Sequence, residues 1–478
     1  ANLFGWSIKE TVEKIKSGSF RLIGVRLVYL WENTKEVFDL FLELRNQGVD
    51  AHINLYGHYS TFAYKQILKL FPFIDSVTVG EPEYTFLELA KGVVGLEQAG
   101  NLDSIKGLAL VNRIDQFKPG NLINDLDEIP FPDRRHIALE KSKGTTTYIL
   151  GSRGCYNNCG FCYLNPFYGE SSDWRGRSSQ NIFDEIKQLY YQKGCTDFYF
   201  GDANFFGPGK AGRNRAKELA ILIVDNGLQI SFGLECRAND IDEDTISLLV
   251  KAGLKNIFLG IESGNQATLN YFRKNTSVKI NRDAIKTIRK FDIKLNTGFI
   301  MFDKNANLDG IKQNFEFLRD MDLLIEPYTT AHLLFHRQSL FQGTPDYHET
   351  ESPKDTKSEP QNILADPYGY ESLFDYKDKR VSAMADITTG FCRKALSIIS
   401  SNRILNKTDD LKCECDEPLK LNNNSTKLNK LLIGFFDKTL TSIEKGEFDL
   451  TSQSIMNLKE KHGRDLDLYC YSLPGSTW

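Results

Sequence analysis

Short apolar runs alternate with amphipathic helical segments over the first 303 residues, and this alternation constrains the fold more than any other feature. In the front part the predicted strands are 21–30, 51–57 and 75–81, and the predicted helices are 34–48, 63–72 and 84–93. Strands that alternate with helices predict parallel βαβ units with ligands at the carboxyl ends of the strands. We therefore predict an α/β, Rossmann-like domain over residues 1–118, in which the first strand of such a sheet is missing.

A second and longer alternation follows a Pro- and Asp-rich linker at 119–142. Its five predicted strands are 145–152, 198–205, 229–239, 256–263 and 294–303. Five strand–helix rounds predict a partial α/β barrel over 143–345, with chemistry on the loops after the strands. After residue 345 the alternation stops: a polar segment at 352–362 is predicted as a loop, and helical stretches predict a mainly helical carboxyl-terminal domain, 346–478.

The composition excludes several classes of protein. A chain of 478 residues with 41% hydrophobic and 26% charged residues is typical of a globular protein with two or three domains. The net charge of -4 gives no global attraction to nucleic acid or to an anionic membrane. Because no apolar run approaches the ~20 residues of a membrane span and no secretory signal is visible, we expect a cytoplasmic protein with neither nucleic acid nor membrane as a partner.

Three of the nine cysteines, Cys155, Cys159 and Cys162, are spaced C-x3-C-x2-C directly after a predicted barrel strand. Three thiolates on one loop can bind three irons of a cubane iron–sulfur cluster and leave the fourth iron for an exogenous ligand. The alternatives are a zinc knuckle, which usually has a fourth Cys or His nearby, and three unconnected core cysteines. A separate pair, Cys413 and Cys415, could ligate a metal or form an ordinary surface pair.

This loop, with Phe161 at an aromatic position before the third cysteine, resembles that of the radical S-adenosylmethionine (SAM) superfamily. The resemblance implies that the three cysteines bind a [4Fe-4S] cluster and that residues after later strands bind SAM. The implied SAM contacts are Phe161 beside the cluster, Asp202 in GDANF for the amino group, Arg237 in ECRAN, and Glu262 and Ser263 in GIESGN for ribose or carboxylate. The alternative for the polar residues is that they cap barrel strands.

The front third is similar to the radical SAM subgroup that carries an amino-terminal cobalamin-binding domain. The segments Tyr56-Gly57-His58 and Gly80-Glu81 stand at the matching loops, and LDEIPFPDRR precedes the cysteine loop. The resemblance implies that Gly57, Gly80 and Glu81 contact cobalamin. The sequence lacks the Asp-x-His-x-x-Gly segment that supplies an axial histidine, and spacing alone does not assign that role to His52 or His58, so cobalamin binding stays open.

The resemblance implies an enzyme that cleaves SAM reductively and forms a 5'-deoxyadenosyl radical, with cobalamin-dependent C-methylation of a small molecule or peptide as the leading reaction. Radical ring contraction, cyclisation or oxidation without methyl transfer is the alternative. A non-catalytic iron–sulfur or corrinoid carrier would not need SAM-contacting residues after successive strands. The expected electron donor is a flavodoxin or ferredoxin, and the sequence assigns no catalytic side chain.

Overall fold

The structure, a computed structural model, divides into two compact units that interleave along the chain. The described residues are 5–28, 34–95, 102–169, 174–351, 368, 370–372, 374–405, 423–447 and 450–471. The first unit comprises Ala1–Glu128, Gly154–Arg175 and Ser339–Leu373, and the second comprises Ile129–Arg153, Gly176–Gln338 and Phe374–Trp478.

The strands and helices follow the predicted alternation through the first two thirds of the chain. The strands are β1 (Leu22–Arg26), β2 (His52–Tyr56), β3 (Ser76–Thr78), β4 (Leu108–Ala109), β5 (Thr147–Ile149), β6 (Ser152–Arg153), β7 (Arg175–Gly176), β8 (Asp197–Phe200), β9 (Ser231–Arg237), β10 (Leu254–Glu262), β11 (Lys294–Phe299), β12 (Leu340–Phe341) and β13 (Glu371–Ser372). The helices are α1 (Ile8–Ser17), α2 (Thr34–Asn46), α3 (His58–Leu70), α4 (Glu83–Val94), α5 (Ile137–Ser142), α6 (Leu164–Tyr168), α7 (Ser179–Lys193), α8 (Gly209–Asp225), α9 (Glu243–Lys251), α10 (Gln266–Tyr271), α11 (Val278–Ile288), α12 (Leu308–Asp320), α13 (Pro327–Phe335), α14 (Pro345–Glu351), α15 (Lys379–Leu405), α16 (Asn423–Glu444) and α17 (Ser452–Tyr471).

The first unit is built on a four-stranded sheet in the order β1-β2-β3-β4. Strands β1, β2 and β3 are parallel, whereas β4 runs antiparallel to β3. Apolar side chains of β2, such as Ile53 and Leu55, are fully buried against Phe38 and Phe41 of α2 and Ile67 of α3. The predicted Rossmann-like α/β domain is therefore confirmed as a fold.

Helix α3 begins at His58, five residues before the predicted start at Ala63. Gly57 has φ +105°, and the Thr61 N–H donates to its carbonyl, so the chain enters the helix directly from β2. A Cβ at Gly57 would lie 2.4 Å from the Leu27 carbonyl oxygen, which excludes a side chain there. The sequence pattern predicts a later start because a tight turn of this kind is not visible in the helical periodicity.

The second unit contains a five-stranded parallel sheet in the order β11-β10-β9-β8-β5. One face packs against helices through buried residues such as Phe200, Leu234 and Ile257. This sheet confirms the predicted partial α/β barrel. The Gly-rich composition of residues 207–212 predicts a loop after the strand, but helix α8 begins at Gly209, and a side chain at Gly212 would collide with the Phe206 carbonyl.

The carboxyl-terminal part is helical, as predicted, and belongs to the second unit. Helix α15 packs against α13, α16 and α17. The predicted loop at 352–362 and the pair Cys413 and Cys415 lie outside the described residues. Within the described ranges, no helix is long and apolar enough to cross a membrane.

Candidate active site

The cysteine loop belongs to the first unit and is tied together by amide groups. Cys155 and Cys159 are buried and Cys162 is half-buried. The Asn157 amide donates to the Cys159 sulfur at 2.9 Å, and the Asn165 amide donates to the Asn157 carbonyl at 2.6 Å. An N–H donor stabilises the negative charge of a thiolate and tunes a bound iron–sulfur cluster.

The thiols of the cysteine loop suit a cubane cluster. Such a cluster takes each thiolate at a different iron, so its ligands stand further apart than those of zinc. The buried thiols and the amide donor therefore fit a cluster, and Phe161 lies half-buried between Cys159 and Cys162 in the sequence.

Helix α6, which follows the cysteine loop, contacts the carboxyl edge of the first unit's sheet. The His58 ring lies 4.6 Å from the Tyr163 ring and 4.5 Å from the Phe167 ring, centroid to centroid. A Cβ at Gly80 (φ +84°) would meet only the Phe167 carbonyl oxygen, at 3.8 Å. The backbone at Gly80 is thus accessible to a bulky ligand. At position 57, by contrast, the close approach of the Leu27 carbonyl explains why a glycine is needed.

Burial lowers the pKa of His58 to about 4, with a further contribution from the Arg26 charge. In the unfolded chain this imidazole binds a proton near pH 6.5, so between about pH 4 and 6.5 the unfolded state holds more protons. The free energy of unfolding therefore falls as the pH is lowered through that window. We expect His58→Gln to reduce this slope by up to about 1.4 kcal/mol per pH unit. Unfolding of both proteins between pH 5 and 7.5 measures the effect, and identical slopes would contradict it.

Glu81 forms a buried ion pair with Arg175 at the end of the cysteine segment. Arg175 donates to both carboxylate oxygens, at 2.9 and 3.0 Å, and also to the Ile123 carbonyl at 2.5 Å. The Ile123 N–H donates to Glu81 at 2.8 Å, and the Arg175 guanidinium stacks on Tyr168. Glu81 therefore joins the sheet edge to the cysteine segment, and its predicted contact with cobalamin stays a prediction.

The remaining predicted site residues, Asp202, Arg237, Glu262 and Ser263, lie in the second unit. Asp202 is buried and accepts hydrogen bonds from the Gly151 N–H at 2.9 Å and from the Ser152 hydroxyl. Burial raises the pKa of this carboxyl, and the Ser152 hydrogen bond opposes the rise. Asp202 thus fixes the backbone that leaves β5, and its predicted contact with SAM stays a prediction.

Arg237 and Glu262 are brought together by Lys274, a residue that the sequence analysis missed. The Lys274 ammonium lies 2.8 Å from a Glu262 oxygen, and Arg237 donates to the Lys274 carbonyl at 2.6 Å. Glu262 has φ +63°, a conformation rare for a residue with a side chain and common at ligand sites. Ser263 is buried and donates to the Asn314 side chain at 2.7 Å. Lys274 follows a helix rather than a strand, so strand-end reasoning could not identify it.

We expect Glu262→Gln to weaken SAM binding at least about tenfold, because a charged hydrogen-bond partner is worth roughly 1.5–3 kcal/mol. The iron content should not change, since Glu262 lies outside the cysteine loop. Equilibrium dialysis with labelled SAM and iron analysis measure the two quantities. Glu243→Gln, at an exposed carboxylate of α9, is the matched control. Unchanged SAM affinity in a folded Glu262→Gln protein would show that Glu262 does not contribute to SAM binding.

The chain is similar to several known proteins. Residues 149–318 match the Radical SAM superfamily. An uncharacterized methyltransferase of Pyrococcus horikoshii is 26% identical over 64% of this chain and 66% of its own length. An anaerobic magnesium-protoporphyrin IX monomethyl ester cyclase of Synechocystis is 29% identical over 61% of this chain and 58% of its own length. The chain thus spans less than two thirds of these curated relatives.

A solved structure has a similar fold. The cobalamin-dependent SAM radical enzyme OxsB, with aqua-cobalamin bound, superposes with a TM-score of 0.74 over 97% of this chain and 74% of that protein, at 18% identity. This likeness shows the fold. The matched segment begins at β5, contains the C-x3-C-x2-C loop and continues through the parallel sheet. Residues 149–318 therefore form a radical SAM domain, and domains of this superfamily bind a [4Fe-4S] cluster and SAM.

Proposed function

We propose that this protein cleaves SAM reductively and uses the resulting 5'-deoxyadenosyl radical in a cobalamin-dependent C-methylation. The observation that carries the proposal is the cysteine loop, whose buried thiols and Asn157 amide donor suit a cluster with one open iron. When bound, that cluster supplies one electron to SAM, which separates into methionine and the radical. The similarity to a methyltransferase and to the fold of OxsB supports methyl transfer.

The residues of the chain would divide the work of binding. Cys155, Cys159 and Cys162 hold the cluster, and Glu262 with Arg237 orients SAM. Lys274 holds the Glu262 carboxylate in place through their 2.8 Å ion pair. Strands of a parallel sheet end at one edge, so Arg237 and Glu262, at the ends of the neighbouring strands β9 and β10, can act together on a cosubstrate bound there.

Cobalamin would bind at the sheet edge of the first unit, near Gly80. The open backbone at Gly80 and the neighbouring α6 support this place. Gly80→Val should weaken hydroxocobalamin binding, because a side chain would stand where the ring approaches. Gly95→Val, at the left-handed end of α4, carries a comparable backbone strain and is the control. Equilibrium dialysis reports binding without any need for turnover.

A specific comparison favours a second reaction. The relative with the higher identity of the two described above is a cyclase, which supports radical cyclisation or ring contraction without methyl transfer. Anaerobic reconstitution, reduction and incubation with SAM test the shared first step through 5'-deoxyadenosine formation. Methyl-deuterated SAM then separates the two reactions, because only methyl transfer adds label to the product. Absence of 5'-deoxyadenosine under reducing conditions would exclude both reactions.

The electron should come from a small redox protein, a flavodoxin or ferredoxin, in the cytoplasm. The cluster requires a reducing compartment, and the thiols of the loop must remain reduced before it is assembled. Replacing a chemical reductant with flavodoxin and its reductase should sustain 5'-deoxyadenosine formation. Formation of 5'-deoxyadenosine with the chemical reductant, but none with flavodoxin or ferredoxin and the reductase, would contradict this donor.

A further inference from the structure

The parallel sheet of the second unit has an open face that the proposed SAM contacts do not explain. Paired residues of parallel strands point to the same side, so the registers place Tyr148, Tyr199, Glu235 and Phe258 on the face opposite the helices. Tyr148 is 60% exposed and Phe258 is 37% exposed, whereas residues of the helix-covered face are buried. This open face therefore offers two accessible aromatic rings and a carboxyl group.

Two glycines make room for these rings. A Cβ at Gly233 would lie 2.7 Å from the Tyr199 ring, and a Cβ at Gly298 would lie 3.2 Å from the Phe258 ring. Neither glycine has a positive φ, so close approach rather than backbone conformation accounts for both. The Tyr199 and Phe258 rings consequently lie close against neighbouring strands.

Glu235 stands among these rings with a single protein donor. The Tyr199 hydroxyl donates to one carboxylate oxygen at 3.2 Å, and within the described residues it is the only hydrogen-bond donor to that carboxylate. Burial raises the pKa of Glu235, with Asp202 adding to the rise and the Tyr199 hydrogen bond opposing it. The carboxyl group thus retains acceptor capacity for a ligand.

The charges around Glu235 indicate the chemical class of its ligand. Two basic residues of the same unit are engaged with other groups, since Lys274 pairs with Glu262 and Arg237 donates to the Lys274 carbonyl. No ion pair to Glu235 occurs in the described part of the protein. A carboxylate without a counter-cation repels phosphates and carboxylates and attracts N–H donors, and exposed aromatic faces also attract cations.

We propose that Glu235, held by Tyr199, recognises an amine of the substrate, with Tyr148 and Phe258 against its apolar or aromatic part. This inference rests on the proposed function and adds a substrate class to it: aromatic or apolar amines, as opposed to phosphorylated or polycarboxylate compounds. The adenine amino group of SAM offers the same N–H chemistry, and the experiment separates the two sources.

The test uses three probes that differ in one group: phenethylamine, phenylacetate and phenyl phosphate. Ligand-observed NMR on cluster-loaded protein with SAM present measures their affinities. We expect phenethylamine to bind best and to lose at least about tenfold affinity in Glu235→Gln, the loss of a charged hydrogen bond. Tyr199→Phe keeps the carboxylate and should keep the preference for the amine. Glu243→Gln should match the unmodified protein.

Several outcomes would overturn the proposal. Preference for phenyl phosphate, equal binding of the three probes, or no binding of any probe would each exclude an amine site at Glu235. Weaker SAM binding in Glu235→Gln, with phenethylamine unaffected, would assign the carboxylate to adenine. The same samples report 5'-deoxyadenosine formation, so a failure of SAM cleavage is distinguished from a failure of substrate recognition.

Discussion

Replacement of Cys155 with alanine is expected to reduce the iron content from about four atoms per chain to less than one after anaerobic reconstitution. Two thiolates cannot hold a cubane cluster with an open iron against loss to solvent. The visible absorbance of the cluster should disappear with the iron, and 5'-deoxyadenosine formation should fall to background. Iron analysis, absorption spectra and product chromatography of the same preparation measure the three effects.

The control for this variant is Cys392→Ala, which removes a buried thiol from α15, outside the cysteine loop. This protein should bind iron normally, because Cys392 is a buried side chain of α15 and does not belong to the cysteine loop. Circular dichroism compares the folding of both variants. Full cluster absorbance in folded Cys155→Ala protein would show that the loop is not the cluster site.

Arg175→Met is expected to lower the free energy of unfolding by about 3–5 kcal/mol, since it leaves the Glu81 carboxylate buried without its counter-charge. Both side chains are less than a tenth exposed and are joined by two hydrogen bonds. Lys35→Met, in the exposed ion pair with Asp39, is the control and should change the stability by less than about 1 kcal/mol. Urea unfolding followed by circular dichroism measures both.

A double variant separates the effect of the unpaired Glu81 charge on stability from the effect of the lost Arg175 packing. The double replacement Glu81→Gln with Arg175→Met removes both charges and keeps an amide oxygen to accept the Ile123 N–H. This protein should be more stable than the single Arg175→Met variant, because no buried charge remains. Equal destabilisation by the single and double replacements would show that the stacking of Arg175 on Tyr168, and not the ion pair, is what matters.

The sequence predicted those parts of the protein that depend on neighbouring residues. The strands and helices of both α/β segments follow from local periodicity, and the structure confirms the fold class. The cysteine loop could also be recognised, because its three thiols lie within eight residues and their spacing alone suits a cluster. Local patterns fail at element ends, as at His58 and Gly209, where a turn or a close backbone approach sets the helix start.

The division of the chain into units was decided only by the tertiary structure. Sequential domain ranges cannot represent a unit that joins Ala1–Glu128 to Gly154–Arg175 and Ser339–Leu373. Rings from the last of these segments pack against the first, as the stacked Tyr368 and Phe71 show. Such contacts arise from burial of apolar surface, which is not directional and leaves no spacing pattern in the sequence.

The partners of the site residues were also decided by the tertiary structure. Glu81 and Arg175 are 94 residues apart, and Tyr199 and Glu235 are 36 apart on neighbouring strands. Periodicity assigns residues to a strand and to one of its faces, but the charge or ring that a side chain meets depends on register and packing between elements. The sequence by itself therefore determined the fold class and the cysteine loop. The tertiary structure determined which polar groups are held by the protein and which can still accept a hydrogen bond from a ligand.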